Sequence, residues 1–549
     1  MMKKLLVLSL ALFMAIPWSA MAGGGAEKPA APKILKLQWH ASIGTDSVFE
    51  CPWQDQQCLV HDMIFDTLLK VNSDGVTYVP RLAKSWKVSA DGKTYTFTLV
   101  DNAKWHDGTP VSAEDVLFTF NTMPKVPEAS FKQYITMIDG YADVIGKKAD
   151  AMKGLSASGN TVTFTLIGPD SFFLKALCQV PILPRHLLKD VDPTLFTKYQ
   201  AYWKKPVGCG AYRIDEVSFP NYFTVVRNES YYGTKPNIPK ALFTSYATGG
   251  NEAVIAALIA GNLDYAYGNA ANDINNAKNM VAKNPDLVMK VVPATYTRTF
   301  RFNNVGSSDG KYNADVQKAE VRQAIHLLID RDAIVNFYKG QAVALSTYVH
   351  PQNPAYNTSI PLFKRDVAKA KELLAAAKFD FSRPLRILYY YNDQTSIDVM
   401  ELVKQNLAEG GIKAEPFLAT GDLASIIYKV RNWDMIYCAA AKPDPILIYS
   451  VLVPDNGQQD GLFGDLAFRN ATFRPLLERY SAATDPAEIK KVGDQIQMEA
   501  SKYALDIPVY VLNKICVLNA SRLKMDEGIF KTDLFNMIDN KFDKWELLK

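Results

Sequence analysis

The chain has 549 residues, 48% of them hydrophobic and 21% charged, which is enough for two or three domains with large cores and is ordinary for a globular protein. Its formal net charge is +4, and Lys3 and Lys4 of a removable N-terminal segment account for two of those charges. With so small an excess and no Lys/Arg run, charge-driven nucleic-acid binding is excluded.

Lys3-Lys4, the apolar run from Leu5 to Trp18 and the small-x-small triplet Ala20-Met21-Ala22 predict an export signal over residues 1–22, cleaved after Ala22. The apolar run falls short of the ~20 residues that span a bilayer as a helix. No cysteine stands at the cleavage site to carry a lipid, so the mature chain is expected in the periplasm. Gly23 to Pro32 reads as a linker. Six cysteines, at 51, 58, 178, 209, 438 and 516, would enter an oxidising compartment. Cys51 and Cys58 bracket a polar turn and are expected to pair, while the other four leave three pairings open.

Ile34, Leu35, Leu37 and Trp39 predict a first buried strand, and His61 to Leu69 a helix ending near Gly75. Tyr95, Phe97 and Leu99 alternate with Thr94, Thr96 and Thr98, the period of a half-buried strand. Asp91-Gly92 and Asp107-Gly108 are turn dipeptides. Ser112 and Asp115 have the spacing of a capping box, with Val116, Phe118 and Phe120 opening the helix behind them. A second alternating strand covers Thr161 to Leu166. In Pro206-Val207-Gly208-Cys209-Gly210-Ala211-Tyr212 the two glycines suggest a turn with unusual backbone angles. Asn251 would cap a helix with Val254, Ile255 and Leu258 on one face and Gly261 as its stop. Asp264 then reads as a solvated position on the strand Leu263 to Tyr267. Further on, the strand Leu385–Tyr391, the helix face Met400, Val403 and Leu407, and the strand Ile412–Phe417 form a βαβ unit and imply a largely parallel sheet. Residues 505–518 read as one apolar strand returning to the first half of the fold.

The stretch Lys104-Trp105-His106-Asp107-Gly108-Thr109-Pro110, with its upstream strands and downstream helix, resembles the signature region of family 5 extracellular solute-binding proteins. Pro181–His186, Pro206–Tyr212, Arg227–Gly233 and Val321–Arg331 resemble further landmarks of that family in the same order, so the resemblance covers nearly the whole mature chain. It implies an α/β, two-lobed periplasmic-binding-protein-like II fold with an additional domain inserted in lobe I. Residues 23–69, 206–290 and 506–549 would form lobe I, 70–205 the inserted domain and 291–505 lobe II. The implied role is capture of a peptide or small molecule in an interlobe cleft, by a monomer, for a cognate ABC permease and ATPase in the inner membrane. No cofactor and no catalysis are implied.

Two segments correspond to ligand-facing positions of peptide-binding relatives. They supply Tyr389, Tyr390, Tyr391 and Asn392 from one, and Cys438, Ala440, Ala441 and Lys442 from the other, with Trp53 as a further candidate. In peptide binders an aspartate at the position of Ala441 meets the ligand's α-ammonium; here only Asp444 of the Asp-x-x-Asp-Pro turn is kept. The arginine that meets the carboxylate in dipeptide binders has no counterpart near Tyr390. A zwitterion stripped of water needs a counter-charge at each end. A ligand lacking a free α-ammonium, an oligosaccharide for example, is therefore the alternative to a peptide. His106, Asp107, Glu114 and Asp115 read as turn and cap chemistry rather than acid–base groups. A secreted hydrolase is the rival class, with no Gly-x-Ser-x-Gly elbow and no phosphate loop to support it. The dispersed histidines, none after His350, count against nickel. A chaperone or sensor role on the same fold stays open.

Overall fold

The computed structural model describes residues 33–39, 49, 51–53, 59–246, 249–267, 273–303, 306–360, 363–442, 444–452, 471–483, 485–531 and 537–548. The export signal and Cys58 lie outside the described residues. Two mixed sheets form the framework. The first has seven strands, in the order Leu287–Val292, Lys514–Asn519, Tyr265–Tyr267, Ile34–Trp39, Lys240–Ser245, Tyr222–Arg227 and Tyr212–Ser218. Ile34–Trp39 is its parallel centre, pairing Leu37 with both Phe243 and Tyr265. The alternation read in the sequence holds here, since Leu35, Leu37 and Trp39 are buried and the residues between them are half-buried. Helices Gly250–Ile259 and Ile274–Lys283 cover the sheet through Leu258, Ala277 and Met280.

The second sheet has six strands, in the order Ala342–Ala344, Asp506–Leu512, Thr297–Phe302, Met435–Ala440, Leu385–Tyr389 and Ala414–Leu418. The last three are parallel, with helix Gln394–Glu409 between two of them, which is the βαβ unit expected from the sequence. Among the described residues no helix is long and apolar enough to cross a membrane.

A four-stranded antiparallel sheet, Ala83–Val88, Thr94–Leu99, Thr161–Thr165 and Leu155–Ser158, carries both alternating strands. Helix Ala113–Thr122 follows, and the Ser112 backbone N and Oγ both donate to Asp115 Oδ2, at 2.8 and 2.9 Å. His106 of the signature stretch reaches back to the glycine segment. Its Nδ1 accepts from Gly208 N at 3.2 Å and its Nε2 lies 3.1 Å from the Gly210 carbonyl. Burial pushes this imidazole down to about 4. Neither Gly208 nor Gly210 has a positive φ, so the glycines answer a close approach rather than unusual backbone angles. A Cβ on Gly208 would stand 1.9 Å from the Ile64 carbonyl oxygen, and one on Gly210 2.4 Å from that of Met63.

Other expectations change as well. The first helix is only Leu59–Ile64, and the chain turns into the short strand Leu69–Val71. The Val254 helix begins at Gly250 and is preceded by Gly249 rather than capped by Asn251. The apolar run 505–518 is two strands, not one. Asp506–Leu512 lies in the second sheet, and after Asn513 the chain enters the first sheet as Lys514–Asn519. The other crossing runs from Leu287–Val292 through residues 293–296 into Thr297–Phe302. Cys51 is a buried free thiol, as are Cys178, Cys209, Cys438 and Cys516, so no bridge is present at Cys51.

Candidate functional site

In open α/β sheets ligands gather beyond the carboxyl ends of parallel strands. Here Leu385–Tyr389 and Met435–Ala440 end side by side, and the antiparallel strand Thr297–Phe302 begins at the same edge, with Thr297 opposite Ala440 and Arg298 opposite Ala439. Both strand crossings reach this edge. A cavity of ≈ 760 Å³ opens beside them, within the size range of small-molecule sites. Its walls include Ala294 and Thr295 of one crossing, Asp444 and Ile446 beyond the Met435–Ala440 strand, and Tyr78 and Tyr95 near the four-stranded sheet.

The tyrosine run splits between two faces, as strand alternation requires. Tyr389 and Tyr391 pack with the core of Phe300 and Tyr437. Tyr390 packs instead with Leu388, Trp433 and Cys438. The rings of Tyr390 and Tyr391 lie 4.5 Å apart, and the Tyr391 hydroxyl donates to that of Tyr390 at 3.3 Å. Asn392 is exposed. Cys438 and Ala440 are buried strand residues, and Ala441 and Lys442 are half-buried beyond them. Lys442 Nζ donates to Ser450 Oγ at 3.3 Å. Burial, then the nearby Arg301, hold this amine below its usual range. Trp53 stands apart from this group. It is wholly buried, stacks on Phe196 at 5.1 Å and donates from Nε1 to the Pro181 carbonyl.

Two acids near this edge are already engaged. Asp444 accepts from the Tyr480 hydroxyl at 2.8 Å and from Ile446 N at 2.9 Å. Asp393 caps the following helix by accepting from Ser396 N and Oγ. At the other end of Thr297–Phe302, in register with Arg301, Asp506 Oδ2 accepts from the Tyr348 hydroxyl at 2.5 Å and lies 3.5 Å from Arg301, while its Oδ1 is buried without a hydrogen-bond partner.

Arg298 escaped the sequence reading. Its guanidinium carbon lies 3.8 Å from the Tyr391 ring centroid and 5.6 Å from that of Tyr296. Its Nη1 is buried without a hydrogen-bond partner. A cation is therefore present beside the tyrosines, contributed by another strand. The signal for it in the sequence is weak: two arginines in the run Thr297-Arg298-Thr299-Phe300-Arg301-Phe302, with nothing to say which strand lies opposite.

The family model for the middle region of bacterial extracellular solute-binding proteins, family 5, matches residues 77–437. A curated ABC transporter peptide-binding protein of Brucella ovis is 29% identical over 66% of this chain, and the match spans 65% of that relative's length. An Escherichia coli periplasmic protein named for deoxycholate binding is 24% identical over 88% of this chain and 89% of its own. The crystal structure of an ABC transporter substrate binding protein of Listeria monocytogenes superposes with a TM-score of 0.74 at 20% identity, covering 95% of this chain and 100% of the other. That likeness shows the two-lobed α/β fold. Matched by the family model over most of its length, the chain belongs to the bacterial extracellular solute-binding proteins, family 5.

Proposed function

We propose that this protein is the substrate-binding component of an ABC importer, exported with cleavage after Ala22, which captures a solute in its interlobe cleft and delivers it to a cognate permease and ATPase. The observation that carries the reading is the ≈ 760 Å³ cavity beside the crossing at residues 293–296, walled by Tyr78 and Tyr95 on one side and by Asp444 and Ile446 on another. Two short crossing segments are natural hinges, so a solute held there draws the lobes together. The first ligand class is peptide-like, supported by the family and by the naming of the Brucella relative. A second reading, a ligand with no free α-ammonium, is favoured by Ala441 and by the engagement of Asp393 and Asp444. The Escherichia coli relative is named for deoxycholate and not for a peptide, which supports keeping this second class.

Native mass spectrometry of freshly purified protein, with X-ray scattering before and after removal of bound solute, tests the role. A retained small molecule and an expansion on its removal are expected. A protein that retains nothing and closes on no member of a peptide, oligosaccharide and carboxylate library would refute it.

A further inference from the structure

We propose that Arg298 is the anion anchor of the cleft, taking the carboxylate of a ligand whose body is apolar or aromatic and which carries no cationic group. This rests on the solute-binding reading above. Arg298 makes no hydrogen bond or ion pair among the described residues, and its Nη1 is buried without an acceptor. A buried donor left unmade is costly, and the guanidinium fork is shaped to receive a planar oxyanion through paired N–H groups. The rings of Tyr391 and Tyr296 lie 3.8 and 5.6 Å from its central carbon and offer no hydrogen-bond acceptor in the guanidinium plane.

The surroundings set the rest of the ligand. Ala439 stands opposite Arg298, and Ala441 is two residues further along the same chain. An acid at 441 would neutralise this corner, but the position holds a methyl group. Asp393 and Asp444 are committed to Ser396 and to Tyr480, and Asp506 stands in register with Arg301, at the far end of the strand from Arg298. Lys442 adds a second cation, beside Arg301. An ammonium entering here would lose its water and meet like charge. The exposed ring of Tyr296 and the half-buried ring of Tyr390 offer aromatic faces for the ligand body.

The test uses matched probes: N-acetyl-Ala-Phe and its C-terminal amide, deoxycholate and its methyl ester, decanoate and decanamide, and unblocked Ala-Phe. Titration calorimetry on the mature protein is expected to show at least one acid binding about tenfold or more tightly than its neutral partner, a gap of about 1.4 kcal/mol or more. Arg298→Gln should abolish that preference and Arg298→Lys keep part of it. Ala441→Asp, which leaves Arg298 in place, should reduce it about tenfold. Equal binding of acid and neutral partner, an acid preference that survives Arg298→Gln, or no binding of any acid would overturn the anchor. Scattering separates the two readings. Closure on neutral or zwitterionic solutes with none on any acid leaves solute capture standing and removes the anchor, whereas closure on nothing removes both.

Discussion

Asp264, wholly buried beside the first sheet, accepts from Arg522 Nε at 2.7 Å and from Lys36 N at 2.9 Å. Arg298, at the crossing end of the second sheet, has two aromatic rings and no acceptor. The contrast extends to their neighbours. Around the first sheet, Asp66 accepts from the hydroxyls of Tyr231 and Tyr232, at 2.8 and 2.5 Å, and Asp62 accepts from Lys70 at 2.8 Å. At the other edge Lys442 has one serine hydroxyl. Charge out of water costs several kcal/mol unless it is paired and hydrogen-bonded. The first region meets that requirement within the chain. The second leaves it unmet, and a site that binds something later is where such a deficit is useful. Substitutions in the closed region should then remove stability and spare ligand choice, and those in the open region should do the reverse.

The largest loss is expected from Gly208→Ala. The new Cβ would lie 1.9 Å from the Ile64 carbonyl oxygen, which is backbone and cannot swing away. The Gly208 segment and the helix Leu59–Ile64 must separate, at a cost of about 4 kcal/mol, beyond the usual range for overpacking. Urea unfolding would measure it, and a loss under 1 kcal/mol would show that the approach is softer than the geometry implies. Next is Asp264→Ala, which strands Arg522 and the Lys36 amide. Because Arg522 is partly exposed, the loss should sit near the low end for a broken buried pair, about 3 kcal/mol. Ligand preference measured on the folded fraction should be unchanged, and a change there would blur the division between the two regions.

His106 sharpens the comparison through pH. In the native state its imidazole is held neutral, with burial pushing it down to about 4 from an ordinary 6.5. Between those values the unfolded chain binds a proton that the native one refuses. Its contribution is therefore complete above pH 6.5 and lost as pH falls toward 4, about 3 kcal/mol in all. The readout is the difference between wild type and His106→Gln across that window, because carboxylates titrate there too. A constant difference would show that the clamp onto Gly208 and Gly210 survives protonation.

What was legible in the sequence follows the range of each interaction. The strands at Thr94–Leu99 and Thr161–Thr165 and the Ser112–Asp115 capping box are local, and their periodicity or spacing is written in a few consecutive residues. The landmarks at Gly208 and Gly210 were visible as glycines, but their reason needs the position of Ile64. Asp264 read as solvated because its partner Arg522 lies 258 residues away. The run 505–518 read as one strand because both its halves are apolar and buried, and only Asn513 marks the change of sheet. Arg298 is the clearest case. Its place beside the tyrosines comes from the register of Thr297–Phe302 against Met435–Ala440, which neither segment declares alone.

Lys442→Met should change stability least and tests the open region from its other cation. The amine is half-buried, hydrogen-bonded to Ser450 Oγ, and held below its ordinary range first by burial and then by Arg301, with Asp444 opposing. A lysine with a lowered native pKa is charged at a cost near neutral pH. The unfolded chain holds its proton more tightly, so wild-type stability should rise with pH through the window just below 10.5. Methionine keeps much of the apolar stem and removes the charge. Unfolding at pH 7.5 should therefore differ from wild type by no more than about 0.5 kcal/mol in either direction, and the component of the alkaline rise due to this amine should be absent. Affinity for an anionic probe should fall in the variant, while that for its neutral partner should hold. A loss above 2 kcal/mol in stability would place Lys442 among the closed structural charges, and the cationic character of the cleft would then rest on Arg298 alone.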